Sequence, residues 1–177
     1  MPVKPPETLT LSRHASPVGV ILLVTNQAGV LKALDFGDYE PRMRRLLARR
    51  QGPVQLVDGP TPKAIADALD RYFAGDLAAL DALPTSTTGT DFQRKVWKAL
   101  REIPAGETWS YGDLAKRIGS PAAVRAVGLA NGANPIGIVV PCHRVIGANG
   151  TLTGYGGGLE RKRWLLEHEG AAVPGGA

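Results

Sequence analysis

The sequence has few of the residues that build disulfides and metal sites. It contains one cysteine and three histidines among 177 residues. One cysteine cannot form a disulfide within the chain, and this fits a reducing compartment, so we expect a cytoplasmic protein. A cysteine-rich zinc site is excluded as well, because such sites need several thiolate or imidazole ligands.

Long apolar runs are missing too. No stretch approaches the roughly 18 residues that a membrane span needs, so we expect no membrane partner. The first ten residues contain prolines and a glutamate and lack an apolar core, which argues against a signal peptide. The composition is 44% hydrophobic and 21% charged, as in an ordinary globular protein. The net charge of +5 favours a polyanionic partner without identifying it.

The first half of the chain predicts a sheet with helices. Apolar segments separated by turn residues predict an antiparallel meander and one further short strand, over residues 9–15, 20–25, 30–36 and 54–57. Helical spacing predicts a helix over residues 40–51, whose five arginines are interpreted as a solvated face. A second helix is expected to begin at Pro62. His14 is interpreted as an ordinary strand residue.

A polar, turn-rich segment divides the chain. Residues 84–90 consist of proline, threonine, serine and glycine, a composition that is typical of loops. We therefore predict two domains, residues 1–85 and 86–177. The second domain is predicted to be mainly helical, with helices over residues 91–103, 111–118, 121–130 and 159–169. Thr90 is placed to cap the first of them.

Two of these helices form a predicted helix-turn-helix. Ser110 and Ser120 are placed as N-caps of residues 111–118 and 121–130, which a tight turn joins. The second helix displays small side chains and one arginine, Arg125, where recognition helices usually carry several long polar side chains. Such a helix could enter a minor groove and insert Arg125. A packed helix with a solvent-exposed arginine explains the same residues equally well.

The cysteine follows a short apolar run and a proline. Ile138–Val140 predicts a buried strand that Pro141 ends, because proline cannot donate to a sheet ladder. Cys142, His143 and Arg144 come next. A thiol becomes a nucleophile as its thiolate, which nearby basic or cationic groups favour. A lone cysteine is more often a small buried apolar residue, and neighbours in an extended chain point to opposite faces, so the motif alone does not establish catalysis.

Three further residues stand out around the cysteine. Tyr155 lies in a glycine-rich segment that lacks the residues of a phosphate-binding loop, and it is interpreted as part of a pocket wall for a planar ligand. Glu169 is predicted at the end of the last helix, where the helix dipole disfavours a carboxylate, so we expect it to contact another group. Asn134 lies in the turn before the cysteine segment and can stabilise that turn by bonding its backbone.

Together these motifs resemble the O6-alkylguanine-DNA alkyltransferase family, and within it the bacterial constitutive type. The resemblance rests on Pro-Cys-His-Arg-Val at 141–145, Ser-Tyr at 110–111, Arg-Ala-Val-Gly at 125–128, Asn-Pro at 134–135, the glycine-rich segment at 154–158 and Trp-Leu-Leu-Glu-His-Glu-Gly at 164–170. It covers about residues 91–170 closely and the first half in general layout. It implies a two-domain α/β (α+β) fold, with a ribonuclease-H-like domain of antiparallel sheet and helices followed by a helical winged helix-turn-helix domain.

The resemblance also implies catalytic roles for matching residues. Cys142 would accept the alkyl group, His143 would deprotonate it through a bridging water, and Glu169 would orient His143. Tyr111 would lie by the flipped guanine and help to protonate it as it leaves. Asn134 would be the hinge between the DNA-binding helix and the active site. No metal and no cofactor are implied.

Contacts with DNA and base are implied in the same way. Arg125 would fill the gap left by the extruded nucleotide. The other residues implied to contact DNA are Tyr111, Ser120, Ala126 and Gly128. The residues implied to line the substrate pocket are Pro141, Val145, Tyr155 and Gly156. Some relatives carry a larger residue at the position of Gly156, which implies a roomier pocket here.

The implied activity is DNA repair. An alkyl group would move irreversibly from O6-alkylguanine, and from O4-alkylthymine, in double-stranded DNA to Cys142, once per protein molecule. The protein would be a monomer in solution, with cooperative binding on DNA left open. Two alternatives are a cysteine hydrolase using Cys142, His143 and Asn134, and a non-catalytic helix-turn-helix regulator. A hydrolase would turn over, and a regulator would prefer one DNA sequence.

Overall fold

The computed structural model describes residues 5–50 and 52–173. Strands β1 to β6 occupy Glu7–His14, Ile21–Thr25, Leu31–Phe36, Val54–Asp58, Trp109–Ser110 and Val145–Ile146. Helices α1 to α6 occupy Glu40–Arg50, Lys63–Phe73, Asp91–Leu100, Tyr111–Arg117, Val124–Gly132 and Leu159–His168. Gln51, the predicted last residue of the first helix, lies outside the described residues. Among those described, no helix is long and apolar enough to cross a bilayer.

A four-stranded sheet in the order β3-β2-β1-β4 forms the first half of the molecule. The predicted three-stranded antiparallel meander is confirmed, since β2 pairs antiparallel with both β1 and β3. The fourth strand makes the sheet mixed and not entirely antiparallel as expected, because β4 pairs parallel with β1. The connection explains this difference: α1 carries the chain from β3 to the far edge, and a helical crossover joins strands that run in the same direction.

Capping boxes begin two helices of the second half. The side chains of Thr90 and Ser110 accept hydrogen bonds from the third residue of α3 and α4, as predicted. Ser120, in contrast, is not the N-cap of α5, which begins later in the chain. Its N–H bonds the Ala115 carbonyl at 2.9 Å, just after Gly119 in the left-handed conformation (φ 78°). Ser120 therefore completes the C-terminal cap of α4.

The segment before Cys142 is not the predicted strand. Ile138 has a left-handed backbone (φ 66°), which a strand does not accommodate. A tight turn closes around it, with the Val140 N–H donating to the Ile136 carbonyl at 3.0 Å. The run is buried as expected, but its backbone groups are satisfied by turns. A short apolar run in the sequence does not distinguish these two possibilities.

Strand β3 connects the sheet to the helical half. The Leu34 N–H donates to the Pro135 carbonyl at 3.0 Å, and the Gly137 N–H donates back to the Leu34 carbonyl at 3.1 Å. Leu31 on the same strand bonds Pro84 in a similar way, at 3.0 Å. These bonds cover the edge of the sheet. The chain that leads to Cys142 is therefore fixed against β3, and one apolar core spans both halves.

The two serines of the helix-turn-helix provide a test of these caps. Ser110→Ala is expected to lower the free energy of unfolding by about 1 kcal/mol, because it removes the side-chain acceptor at the start of α4. Ser120→Ala is the matched control. The backbone of Ser120 closes α4 and alanine keeps those bonds, so the change should stay below about 0.5 kcal/mol. Denaturant titrations followed by circular dichroism measure both, and equal losses would contradict the assignment.

Candidate active site

Cys142 begins a short 3-10 turn, Cys142–Arg144, directly after Pro141. It is 8% exposed, at a cavity whose walls come from both halves of the chain. The walls include Phe36, Arg42, Asn131, Asn134, Tyr155 and Gly156. Burial raises the pKa of the Cys142 thiol, and the Asn134 side chain and the Lys162 charge oppose that rise. The thiol therefore needs a base before it can act as a nucleophile.

The carboxylate of Glu169 is the centre of a buried polar cluster just past the end of α6. Its donors are Tyr72 Oη at 2.6 Å, His143 Nε2 at 2.9 Å, and Arg144 Nε and Nη2 at 2.8 and 2.9 Å. The 3-10 turn allows two consecutive residues to reach one carboxylate, because their side chains diverge by about 120° instead of pointing to opposite faces. Glu169 thus contacts other groups, as expected.

This cluster fixes the protonation of His143. Burial lowers the pKa of His143 more than the Glu169 carboxylate raises it, so the ring is neutral near pH 7. A carboxylate only accepts hydrogen bonds, so Nε2 carries the ring proton. Nδ1 then has a free lone pair, and it is buried without a hydrogen-bond partner in the described part of the chain. Burial alone would raise the pKa of Glu169, but His143 and Arg144 hold it far below its usual range.

Asn134 bonds the backbone of the turn between α5 and Cys142. Its Nδ2 donates to the Val140 carbonyl at 2.8 Å, and its Oδ1 accepts from the Ile136 N–H at 3.0 Å. Asn134 therefore stabilises the turn in the way that the sequence suggests. His143 Nε2 bonds Glu169, so Asn134 does not orient His143 as the asparagine of a cysteine-hydrolase triad would.

Tyr111, the first residue of α4, lies between α5 and the loop after β6. Its Oη accepts a hydrogen bond from Thr153 Oγ1 at 3.2 Å. On the other side α5 passes closely, because a Cβ on Gly128 would lie 3.8 Å from the Tyr111 ring. Arg125 and Ala126 are exposed on the same helix. The structure thus brings Tyr111 and the α5 surface together.

A buried lysine that the sequence analysis did not identify fixes the backbone beyond Cys142. Pro141 and Val145 are buried on either side of the 3-10 turn. Lys162 Nζ donates to the Val145 carbonyl at 2.6 Å and to the Thr153 carbonyl at 2.7 Å. Burial lowers the pKa of Lys162 to about 8. No local pattern distinguishes Lys162 from the other charged residues of α6.

The first half of the chain holds the glycine-rich loop. Arg42 pairs with Asp35 (Nε to Oδ2, 3.0 Å) and donates to the Gly156 carbonyl oxygen. A Cβ on Gly156 or Gly157 would collide with Arg42 or Phe36 respectively. The interpretation of the α1 arginines as a solvated face is wrong for Arg42, because the buried Asp35 carboxylate requires a partner. The space at Gly156 is taken by Arg42, so it does not give the roomier pocket that the resemblance implies.

The site combines a thiol and a base. Cys142 supplies the buried thiol, and the neighbouring His143 supplies a neutral ring with a free nitrogen. Such a pair can attack an electrophilic carbon and bind it covalently. Among the described residues, no three His, Cys, Asp or Glu side chains are grouped so that they could hold a metal ion.

Known proteins resemble both halves of the chain. Residues 10–87 match the ribonuclease-like domain of 6-O-methylguanine DNA methyltransferase, and residues 91–171 match its DNA-binding domain. A methylated-DNA–protein-cysteine methyltransferase of Shigella flexneri is 51% identical over 159 residues, 88% of this chain and 92% of that protein. Its counterpart in Mycolicibacterium paratuberculosis is 60% identical over 159 residues, 87% and 88% of the two chains. The crystal structure of Mycobacterium tuberculosis OGT in complex with DNA has a TM-score of 0.77 at 45% identity, covering 91% of this chain and 92% of that chain.

Fold, site and similarity together define a DNA-repair methyltransferase that removes alkyl groups from DNA directly. The chain belongs to the methylated-DNA–protein-cysteine methyltransferase family. The family and the two-domain α/β fold expected from the sequence motifs are therefore confirmed. This includes the first half of the chain, where the sequence resembles the family only in general layout.

The glycine-rich loop gives a test of how the pocket is closed. Gly157→Ala is expected to slow transfer to Cys142 about tenfold, since the new Cβ would overlap Phe36 and Tyr155 and push the loop outward. Gly154→Ala is the matched control in the same loop, because nothing lies within 4 Å of its added Cβ. Intact-mass spectrometry after a single exposure to methylated DNA gives both rates. Equal rates would show that the approach of the loop to Phe36 does not matter.

Proposed function

We propose that the protein moves the alkyl group of O6-alkylguanine, and of O4-alkylthymine, in double-stranded DNA to the sulfur of Cys142. The observation that carries this proposal is that the Glu169 carboxylate accepts from His143 Nε2 and leaves Nδ1 free, one residue from a buried thiol. The names of the relatives and the DNA complex of the mycobacterial protein support it. A sulfur–carbon bond forms as the carbon–oxygen bond breaks. The thioether has no easy hydrolysis route, so each molecule acts once.

Activation of the thiol begins at His143. A water passes the Cys142 proton to Nδ1, and Glu169, hydrogen-bonded to Nε2, stabilises the imidazolium that forms. Arg144 keeps Glu169 ionised, so that this acceptor is ready before the proton moves. The thiolate then attacks the alkyl carbon, and the guanine leaves with its electron pair.

Access to the base requires flipping, because the alkylated atom lies inside the duplex. Extrusion costs a few kcal/mol, and Arg125, exposed on the small-residue surface of α5, offsets part of that cost by entering the gap. Tyr111 contacts the flipped base and helps to protonate it as it leaves. Asn134 holds the turn that joins α5 to the Cys142 segment. The remaining DNA contacts in this proposal are Ser120, Ala126 and Gly128.

The flipped base is held in the cavity at Cys142. Tyr155 and Gly156 form part of its wall, and Pro141 and Val145 flank the turn that presents the thiol. Backbone groups near Cys142, Val145 and Gly156 read the base edge. Because Arg42 and Lys162 bind backbone carbonyls of this wall, the wall is ordered before the base arrives.

In the same proposal the chain acts as two domains. Residues 1–85 support the pocket, and residues 86–177 supply the thiol, the base and the DNA surface. One chain contains every proposed group, so a monomer suffices, and cooperative binding on DNA is open to titration. The protein works in the cytoplasm, where the thiol stays reduced.

Both alternative functions have less support. A cysteine hydrolase would need Asn134 on His143, but Glu169 occupies that place. A non-catalytic regulator would have no use for the buried Glu169 cluster beside the thiol.

Stoichiometric transfer tests the proposed function directly. After mixing with a duplex that contains methylguanine, each protein molecule should gain one methyl group, on Cys142, because the chain has no second thiol. Cys142→Ala should gain none and still bind DNA, since the proposed DNA contacts are made by other residues. Intact-mass and peptide-mass spectrometry measure the product. More than one methyl group removed per protein molecule would contradict the single-use mechanism.

The proposed roles of Arg125 and Tyr111 can be distinguished by comparing duplex DNA with the free alkylated base. Arg125→Ala is expected to slow repair of duplex DNA about 10- to 100-fold and to leave reaction with free alkylated guanine unchanged, because the free base needs no flipping. Tyr111→Phe should slow both reactions, because Tyr111 contacts the leaving base. Arg94→Ala removes an equal charge from the exposed surface of α3 and is the control for lost electrostatic attraction. The same loss on both substrates for Arg125→Ala would overturn the proposal that Arg125 fills the gap left by the flipped base.

A further inference from the structure

Thr153, in the loop after β6, contacts two parts of the site. Its hydroxyl donates to Tyr111 Oη at 3.2 Å, and its carbonyl oxygen accepts from the Lys162 ammonium at 2.7 Å. The side chain and the backbone of one loop residue therefore join the start of α4 to α6.

Lys162 fixes the position of this residue. The ammonium group is buried and also donates to the Val145 carbonyl at 2.6 Å, so one cation holds both the β6 backbone and the loop that follows it. Strand β6 pairs in turn with β5, which ends at the residue before Tyr111. Lys162 therefore fixes the position of Thr153, and the β5–β6 pair fixes that of Tyr111. Their contact joins two ordered parts of the structure.

The direction of this hydrogen bond matters for the Tyr111 proton. A phenol has one proton to donate and lone pairs that can accept. Each of these two hydroxyls can donate or accept, and the phenolic proton is free for a third group when Thr153 is the donor and occupies a lone pair of Tyr111 Oη. Accepting a hydrogen bond also polarises the phenol toward donating its own proton.

We propose that Thr153 is a positioning residue for Tyr111 and directs the phenolic proton toward the flipped base. Thr153 acts in this way only if Tyr111 contacts the leaving base, as proposed above. It acts through Tyr111 and takes no part in the bond changes at Cys142.

Two substitutions of Thr153 test this role in single-turnover transfer from a methylguanine duplex. Thr153→Val keeps the shape and removes the donor, and it should be about 3- to 10-fold slower, the effect of one neutral hydrogen bond. Thr153→Ser restores a donor and should react at close to the wild-type rate. Thr151→Val is the matched control, because the Thr151 hydroxyl bonds Asn149 in the same loop, and its rate should not change.

A double-mutant cycle with Tyr111→Phe separates positioning from a structural effect. If Thr153 works through the Tyr111 hydroxyl, Thr153→Val should slow the wild-type protein and cause no further loss in Tyr111→Phe. The melting temperature and the affinity for unmodified duplex should be the same in Thr153→Val as in the wild type.

The possible results distinguish the two assignments. A wild-type rate for Thr153→Val, an equal loss in both backgrounds, or failure of serine to restore the rate would overturn the role of Thr153 and leave that of Tyr111 intact. A wild-type rate for Tyr111→Phe itself would overturn the proposed role of Tyr111, and that of Thr153 with it.

Discussion

A carboxylate buried away from water must be matched by donors, and Glu169 meets that requirement with side chains from distant parts of the chain. Tyr72 comes from α2, and His143 and Arg144 come from the turn at the thiol. Removing one partner of such a cluster leaves a buried charge unmatched, which typically costs about 3–5 kcal/mol. The cluster therefore holds α2, α6 and the 3-10 turn in a single arrangement, and Cys142 is the first residue of that turn.

The same cluster gives the buried thiol a route to reactivity. Burial shields the Cys142 thiol from solvent. It also raises the pKa of Cys142 and so keeps the thiol protonated. A base is useful there only if it is neutral and presents a lone pair. Burial supplies the neutral form of His143, and Glu169 supplies the tautomer. Arg144 keeps that carboxylate ionised, and Tyr72 adds a donor from the first half of the chain. Arg144 thus sets the ionisation of Glu169, and Glu169 sets the tautomer of His143. This dependence explains why these polar groups are buried together.

Local patterns in the sequence predicted the features that depend on local physics. Ser110 could be recognised as a cap because a capping box lies within four residues. Glu169 could be singled out because a carboxylate conflicts with the helix dipole at that end. The left-handed backbone of Ile138 could not be predicted, since nothing in a buried apolar run marks a turn. The roles of Tyr72 and Arg42 could not be predicted either, because their partners in the site are 97 and 114 residues away along the chain. Contacts of that range come from the tertiary fold alone.

The first half of the chain contains neither the thiol nor the base, yet it orders the pocket around them. Leu34 bonds the turn that leads to the thiol, and Arg42 bonds the Gly156 carbonyl. Phe36 lies where any side chain at Gly157 would be, so the loop can approach it only as glycine. A loop of glycines has a high conformational entropy when free, so ordering it is costly. Here the contacts with the sheet meet that cost during folding and not during binding. In the proposed mechanism the binding energy of DNA is then left for base flipping, because the alkylated atom must leave the duplex to reach the thiol.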